Sequence, residues 1–197
     1  MIVVGITGNL GTGKTTVAQM LVDLGAVHIN ADELGHEIIR PNTEPYRKIL
    51  AVFGKSILGA DGQLDRVKLS KLVFENKKAL ARLNRITHPK ICDLVKHQIN
   101  ELRQAGTKVI VLEAALLIEA GWKPLVDQLW VTTAPEAIIV ERLKKSRGLR
   151  QEQVLARLRN QMPQGKKARQ ADVVINTNCS MDELRANVTE LWRALPV

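Results

Sequence analysis

Strands and helices alternate along this sequence, and that order predicts an α/β fold: a parallel five-stranded sheet covered by helices on both faces. Two further observations bound it. The 197 residues, 45% hydrophobic and 25% charged, suit one domain with a sizeable core. Between residues 41 and 104 the alternation lapses into an almost wholly helical pattern, which is expected as an insertion in that domain.

Taken in order, Ile2 to Thr7 reads as a buried strand and Thr16 to Leu24 as a helix with apolar residues at helical spacing, closed by Gly25. Ala26 to Ile29 is a second strand. Asn30 or Asp32 then offers an N-cap, and Pro41 breaks the chain. Residues 44–104 read as helical, interrupted by the turn-rich "GADGQLD" at 59–65 and by "THP" at 87–89. Lys108 to Leu112, Gln128 to Thr132 and Val173 to Asn176 complete the five strands, with helical patterns at 136–147, 151–161 and 181–194. The expected divisions are a core of 1–40, 105–140 and 170–197, the insertion at about 41–104, and a basic helical lid at about 141–169.

Composition excludes several classes. Cys92 and Cys179 stand alone, without a CxxC pair or a Cys/His cluster, so neither a disulfide framework nor a zinc site is expected. The apolar start is too short for a signal-peptide core, and no run reaches the 18 or so apolar residues of a membrane span, so a cytoplasmic setting without membrane contact is expected. The net charge of +9 raises nucleic acid as a partner. Its distribution narrows that. Residues 142–169 hold ten Lys/Arg against one acid, Glu152, which leaves 19 basic and 19 acidic residues elsewhere.

The sharpest signal is "GITGNLGTGKTT" at 5–16, where Gly8, Gly13, Lys14 and Thr15 fit G-x-x-x-x-G-K-[ST] between a strand and a helix. Glycines let the backbone curl until successive N–H groups face phosphate oxygens, with the positive end of a helix behind them. Gly11, Thr12, Gly13, Lys14, Thr15 and Thr16 are therefore the candidate triphosphate cradle. Lys14 would bridge the outer phosphates, and Thr15 would ligate a magnesium ion. A turn that merely joins strand to helix needs neither the lysine nor the hydroxyl. A guanine-reading Asn-Lys-x-Asp element is missing, since Asn76-Lys77 is followed by Lys78 and Ala79. A small kinase remains.

Two carboxylates lie where open α/β sheets bind ligands, at the carboxyl ends of strands. Asp32 could take the proton of an acceptor hydroxyl, or it could simply cap a helix. Glu113 could hold the magnesium shell, or be an ordinary strand-end charge. Glu119 reads as a solvated helix residue. Among the basic residues, one or two arginines of a lid could reach the transferring phosphoryl group, while the rest would be a solvated face. A nucleic-acid module that hydrolyses ATP is the competing class. Against it, the basic segment has no Phe, Tyr or Trp on which bases could stack.

The order of motifs resembles the dephospho-coenzyme A kinase family over nearly the whole chain. The resemblance rests on "GITGNLGTGKTTVA" at 5–18, "GAVHINAD" at 25–32, "FG" at 53–54 leading to "DGQLDR" at 61–66, "ITHP" at 86–89, "LLIEAG" at 116–121, the Arg142 and Arg147 pair, and "ADVVIN" at 171–176. It implies a P-loop kinase fold and transfer of the γ-phosphoryl of ATP, with magnesium, to the 3′-hydroxyl of dephospho-coenzyme A. It also implies Asp32 as catalytic base beside Lys14 and Arg142, Arg66 and His88 on the acceptor side, Arg147 in the lid, and Asn176 near the nucleotide. Thr15 and Glu113 would be the metal side.

Two positions depart from the family pattern. Asn30-Ala31-Asp32 stands where Asp-Ala-Asp is usual, and Glu113-Ala114-Ala115-Leu116-Leu117 where Asp-x-Pro-Leu-Leu is usual. The proposed base is kept. Losing the proline is expected to free the backbone after the strand, and Glu113 reaches one methylene further than Asp. The alternatives are a different small-molecule P-loop kinase, for a nucleoside or nucleotide, and more distantly the nucleic-acid-associated ATPase.

Overall fold

A computed structural model describes residues 1–196, with side chains throughout except at positions 74 and 75. Five strands, β1 (Ile2–Gly8), β2 (Val27–Asn30), β3 (Val109–Glu113), β4 (Gln128–Thr133) and β5 (Val173–Asn176), form one all-parallel sheet in the order β2-β3-β1-β4-β5. β1 is buried at all seven positions, which is why its run is apolar without alternation. On one face Ile2, Val4 and Ile6 share a core with Val17 and Leu21 of α1 (Lys14–Asp23) and with Leu184 and Val188 of α9 (Met181–Arg193). On the other, Gly5 is closely approached by Leu117 and Val126.

Register brings the functional ends together. Ile6 pairs with Glu113, Asn30 with Glu113, Gly8 with Thr132, and Thr133 with Asn176. All five strands thus deliver their carboxyl ends to one edge.

By internal contacts the chain divides into two compact units, one of residues 1–30 with 98–197, the other of residues 31–97. The second is helical: α2 (Ala31–Glu37), α3 (Glu44–Phe53), α4 (Arg66–Glu75) and the greater part of α5 (Lys77–Gln104). Its core joins Ile49, Ile57, Leu69, Val73 and Ala79. Thr43 caps α3 by accepting the Tyr46 N–H, and Asp65 caps α4 by accepting those of Val67 and Lys68. In the first unit, α6 (Glu136–Arg147), α7 (Gln151–Leu158) and α8 (Gln164–Ala168) fill the span between β4 and β5.

Three sequence expectations give way. The "THP" break does not occur, because α5 runs through Pro89. Proline removes one donor there, but Ile91, Val95 and Ile99 recur four apart along the helix and are all buried, so tertiary packing holds the turn. Asp32 lies inside the first turn of α2, past the cap position. The helix expected over 151–161 ends at Leu158, and the short α8 follows where no separate element was read.

Candidate active site

The loop after β1 is fixed by close approach and by hydroxyl groups. A Cβ on Gly8 would stand 2.3 Å from Thr132 Oγ1, so only glycine lets the chain cross the end of β4. Thr12, fully buried, donates from Oγ1 to the Asn9 carbonyl at 2.7 Å and shares a 2.8 Å hydrogen bond with Thr132 Oγ1. Thr177 Oγ1 donates to the Thr12 carbonyl at 3.0 Å. Gly13, left-handed at φ 83°, turns the chain into α1, which begins at Lys14. The Lys14 side chain is buried, with Nζ 3.4 Å from the Asn9 carbonyl. A loop with these amides at a helix N-terminus is an anion cradle.

Thr15 and Glu113, 98 residues apart, meet there. Thr15 Oγ1 donates to Glu113 Oε1 at 2.6 Å, and the other carboxylate oxygen lies 3.1 Å from His28 Nε2. Glu113 is 3% exposed. Burial alone would push its carboxyl up, but the hydrogen bonds from His28 and Thr15 and the Lys14 charge outweigh it and hold the group below the usual glutamate range. An ionised, oxygen-bearing pair of this kind suits a hard divalent cation. His28 was not read from the sequence. It sits in a strand 85 residues from Glu113, and no local spacing announces the contact.

Of the residues expected on the nucleotide side, Arg142 reaches the same loop. Arg142, on α6, is engaged: Nη1 donates to Thr177 Oγ1 at 2.9 Å, Nη2 to the Thr177 carbonyl at 2.6 Å, and Nη1 lies 3.5 Å from the Gly11 carbonyl. It braces the loop after β5 against the loop after β1. Arg147, one turn and more further along, is exposed. Asn176 ends β5, exposed, with its side-chain oxygen accepting the Asn178 N–H at 3.0 Å.

Two readings of single charges are corrected. Lys167 is no surface lid charge. It is fully buried, donating to the Ala115 carbonyl at 2.6 Å and pairing with Glu119 Oε1 at 3.0 Å. Glu119 is accordingly no solvated helix residue, since its side chain is 21% exposed and also accepts the Met162 N–H at 3.0 Å. Nor is the backbone after β3 left free by the missing proline, because the Ala115 carbonyl takes both Lys167 and the Thr7 hydroxyl, the latter at 3.3 Å.

The remaining candidate residues belong to the helical unit. Asp32 is exposed in the first turn of α2, two residues after β2 ends. Arg66 is exposed at the first position of α4, and His88 is half-buried on α5. Asp32 and Arg66 both act on His36. Partial burial of its ring and then the Arg66 charge hold His36 below the ordinary histidine range, against the opposing pull of Asp32 and Glu33. The sequence reading missed His36, although its place one turn after Asp32 was a usable signal.

The family model described as Dephospho-CoA kinase matches residues 2–183. A dephospho-CoA kinase of Dehalococcoides mccartyi is 42% identical over 188 residues, covering 95% of this chain and 94% of its own. Of solved structures, TT1252 from Thermus thermophilus aligns with a TM-score of 0.82 at 32% identity over 98% of both chains. Dephospho-CoA kinase from Campylobacter jejuni aligns with a TM-score of 0.70 at 27% identity, over 97% of this chain and 95% of its own. Likeness of this extent spans the phosphate loop, the strand that carries Glu113 and the helical unit alike, and the chain belongs to the dephospho-CoA kinase family.

Proposed function

We propose that the protein transfers the γ-phosphoryl group of ATP to the 3′-hydroxyl of dephospho-CoA, giving CoA. The observation that carries this is the phosphate loop whose Thr15 hydroxyl meets a buried, ionised Glu113 at the end of the neighbouring strand. Loop amides from Gly11 to Thr16 bind the phosphates, and Lys14 places its charge on them. Thr15 and Glu113 hold Mg2+, which when bound neutralises charge on the phosphate oxygens. His28 keeps the second Glu113 oxygen oriented.

On the acceptor side Asp32 takes the hydroxyl proton, and Arg66 and His88 bind the phosphates and arm of dephospho-CoA. Both Asp32 and Arg66 are exposed, which leaves their side chains accessible to a substrate. Arg142 positions the nucleotide loops, while the exposed Arg147 meets phosphate oxygens and Asn176 lies near the nucleotide. The partners of this reading are two small molecules, without nucleic acid. Free thiols at Cys92 and Cys179 accord with a reducing, cytoplasmic setting, and no helix among the described residues is long and apolar enough to cross a membrane.

Transfer from ATP to dephospho-CoA, adenosine, AMP, shikimate and water tests the reading. Dephospho-CoA is expected to win clearly over adenosine, because the pyrophosphate and pantetheine arm supply binding energy remote from the reacting oxygen. Equal transfer to AMP or shikimate would move the protein to a different acceptor within the kinase class; transfer to water alone would remove the kinase reading.

A further inference from the structure

The chain returning from α7 carries three side chains at three-residue intervals, Gln161, Gln164 and Lys167, and each is bonded to a different loop at the sheet's carboxyl edge. Gln161 Oε1 accepts the Leu10 N–H of the phosphate loop at 2.9 Å. Gln164 grips the loop after β4 twice, its Oε1 accepting the Ala134 N–H at 3.1 Å and its Nε2 donating to the Ala134 carbonyl at 3.2 Å. Lys167 holds the loop after β3 through the Ala115 carbonyl and Glu119.

The three contacts differ in kind. Lys167 is wholly buried and charge-assisted, and Gln164 is bidentate, so these two dock α8 without help. Gln161 makes a single neutral bond from a half-buried position three residues after α7 ends. It adds little to the docking of α8. What it does reach is one of the amides at the rim of the anion cradle, 151 residues away in sequence. A rim amide held by a fixed acceptor keeps the loop in one conformation before any phosphate arrives, and preorganisation of that kind is repaid as ligand affinity.

We infer that Gln161 is a positioning residue for the nucleotide: its side-chain oxygen, on the Leu10 amide, couples the stem of the basic segment to the shape of the phosphate loop. The basic residues Arg157 and Arg159 lie four and two positions before it, on the stretch that Gln161 ties to the loop. This rests on the proposed function only in taking the loop's ligand to be a nucleotide.

The test compares Gln161→Met, which keeps the length and loses the acceptor, with Gln161→Glu, which keeps an acceptor oxygen. Three quantities are read: exchange of the Leu10 amide by NMR in the ligand-free protein, the ADP dissociation constant by calorimetry with Mg2+, and KM for ATP against kcat. Gln161→Met is expected to speed Leu10 exchange and to weaken ADP and raise KM for ATP by about five- to tenfold, the worth of one neutral hydrogen bond. kcat should stay within about threefold and the melting temperature within about 3 °C. Gln161→Glu should restore Leu10 protection, although its added negative charge disfavours the triphosphate. Unchanged Leu10 exchange and ADP affinity in Gln161→Met would overturn the inference. So would a parallel fall of affinity, kcat and melting temperature that Gln161→Glu leaves uncorrected at Leu10, for that is a structural loss. Wild-type protein that binds no ADP would instead overturn the proposed function, and the Leu10 exchange arm would still judge the coupling.

Discussion

The carboxyl edge of the sheet and the helical unit of residues 31–97 hold their polar groups in opposite ways. At the sheet edge the partners are remote in sequence and one member of each pair is buried: Glu113 with Thr15, Thr177 with Arg142, Lys167 with Ala115. In the helical unit they are mostly local and exposed, as in the caps of Thr43 and Asp65 and the Glu44–Lys48 pair. One side has met the cost of desolvating its charges during folding. The other leaves Asp32 and Arg66 exposed. Substitutions at the edge should therefore disturb binding, chemistry and stability together, whereas those in the helical unit should separate activity from stability.

Lys14→Ala is expected to have the largest effect. It removes a buried cation from the phosphate cradle, where water replaces it poorly, and kcat should fall by about 10³-fold or more. A variant that kept most of its turnover would take the loop out of the mechanism. Asp32→Asn comes next, with kcat lower by about 10² to 10⁴-fold and ADP affinity unaltered. Because Asp32 is exposed and sits in the first turn of α2, where a charge is worth little, the stability cost should stay below about 1 kcal/mol. Normal turnover with a lowered melting temperature would make Asp32 a helix-end charge and erase the contrast between the two regions.

What the sequence made legible follows the same division between local and remote. The five strands and the phosphate loop are written in contiguous residues, and Val173 to Asn176 lies where the pattern placed it. Glu113 was identifiable by its strand-end position and grouped with Thr15 on the metal side, yet His28 as its partner was not legible, since register alone brings those two together. Lys167 shows the harder failure. Its neighbours Lys166 and Arg169 are exposed, so composition assigned all three to one solvated face, while a single helical turn buries the middle one. The persistence of α5 through Pro89 was hidden for a related reason, because the compensating apolar stripe is completed only by packing.

Lys167→Met against Lys166→Met sharpens that point at smaller scale. Removing the buried cation leaves the Ala115 carbonyl with one donor fewer and Glu119 without its ion partner, while the Met162 N–H still supports the carboxylate. Breaking a buried pair costs about 3 to 5 kcal/mol, and the partial exposure of Glu119 brings the expectation to about 2 to 3. The melting temperature should drop by about 4 to 10 °C. Lys166→Met, on the exposed side, should lie within about 0.5 kcal/mol of wild type. Equal effects at the two positions would mean that Lys167 is not held as described.

The smallest effect belongs to the helical unit and tests whether its charges are as exposed as they look. Glu44 accepts from Lys48 at 2.7 Å and from Lys90 at 2.9 Å, and the hydrogen bonds of these two lysines, with their charges, lower its carboxyl from 4.5 to about 2. A group whose folded value lies below its unfolded one stabilises the fold above the unfolded value. That contribution is complete above about pH 4.5 and is lost as the pH falls toward 2. Wild-type protein should therefore lose melting temperature across this window faster than Glu44→Gln, by a difference of under about 2 °C at low salt. At 1 M salt, where screening acts within about 3 Å, the difference should shrink further. Glu113 is also held below the glutamate range, but beneath the surface, so its share of the acid transition should persist in the same salt. A Glu44 difference that salt did not reduce would place that pair in a covered environment like that of Glu113, and the contrast between the two regions would fail at its most exposed point.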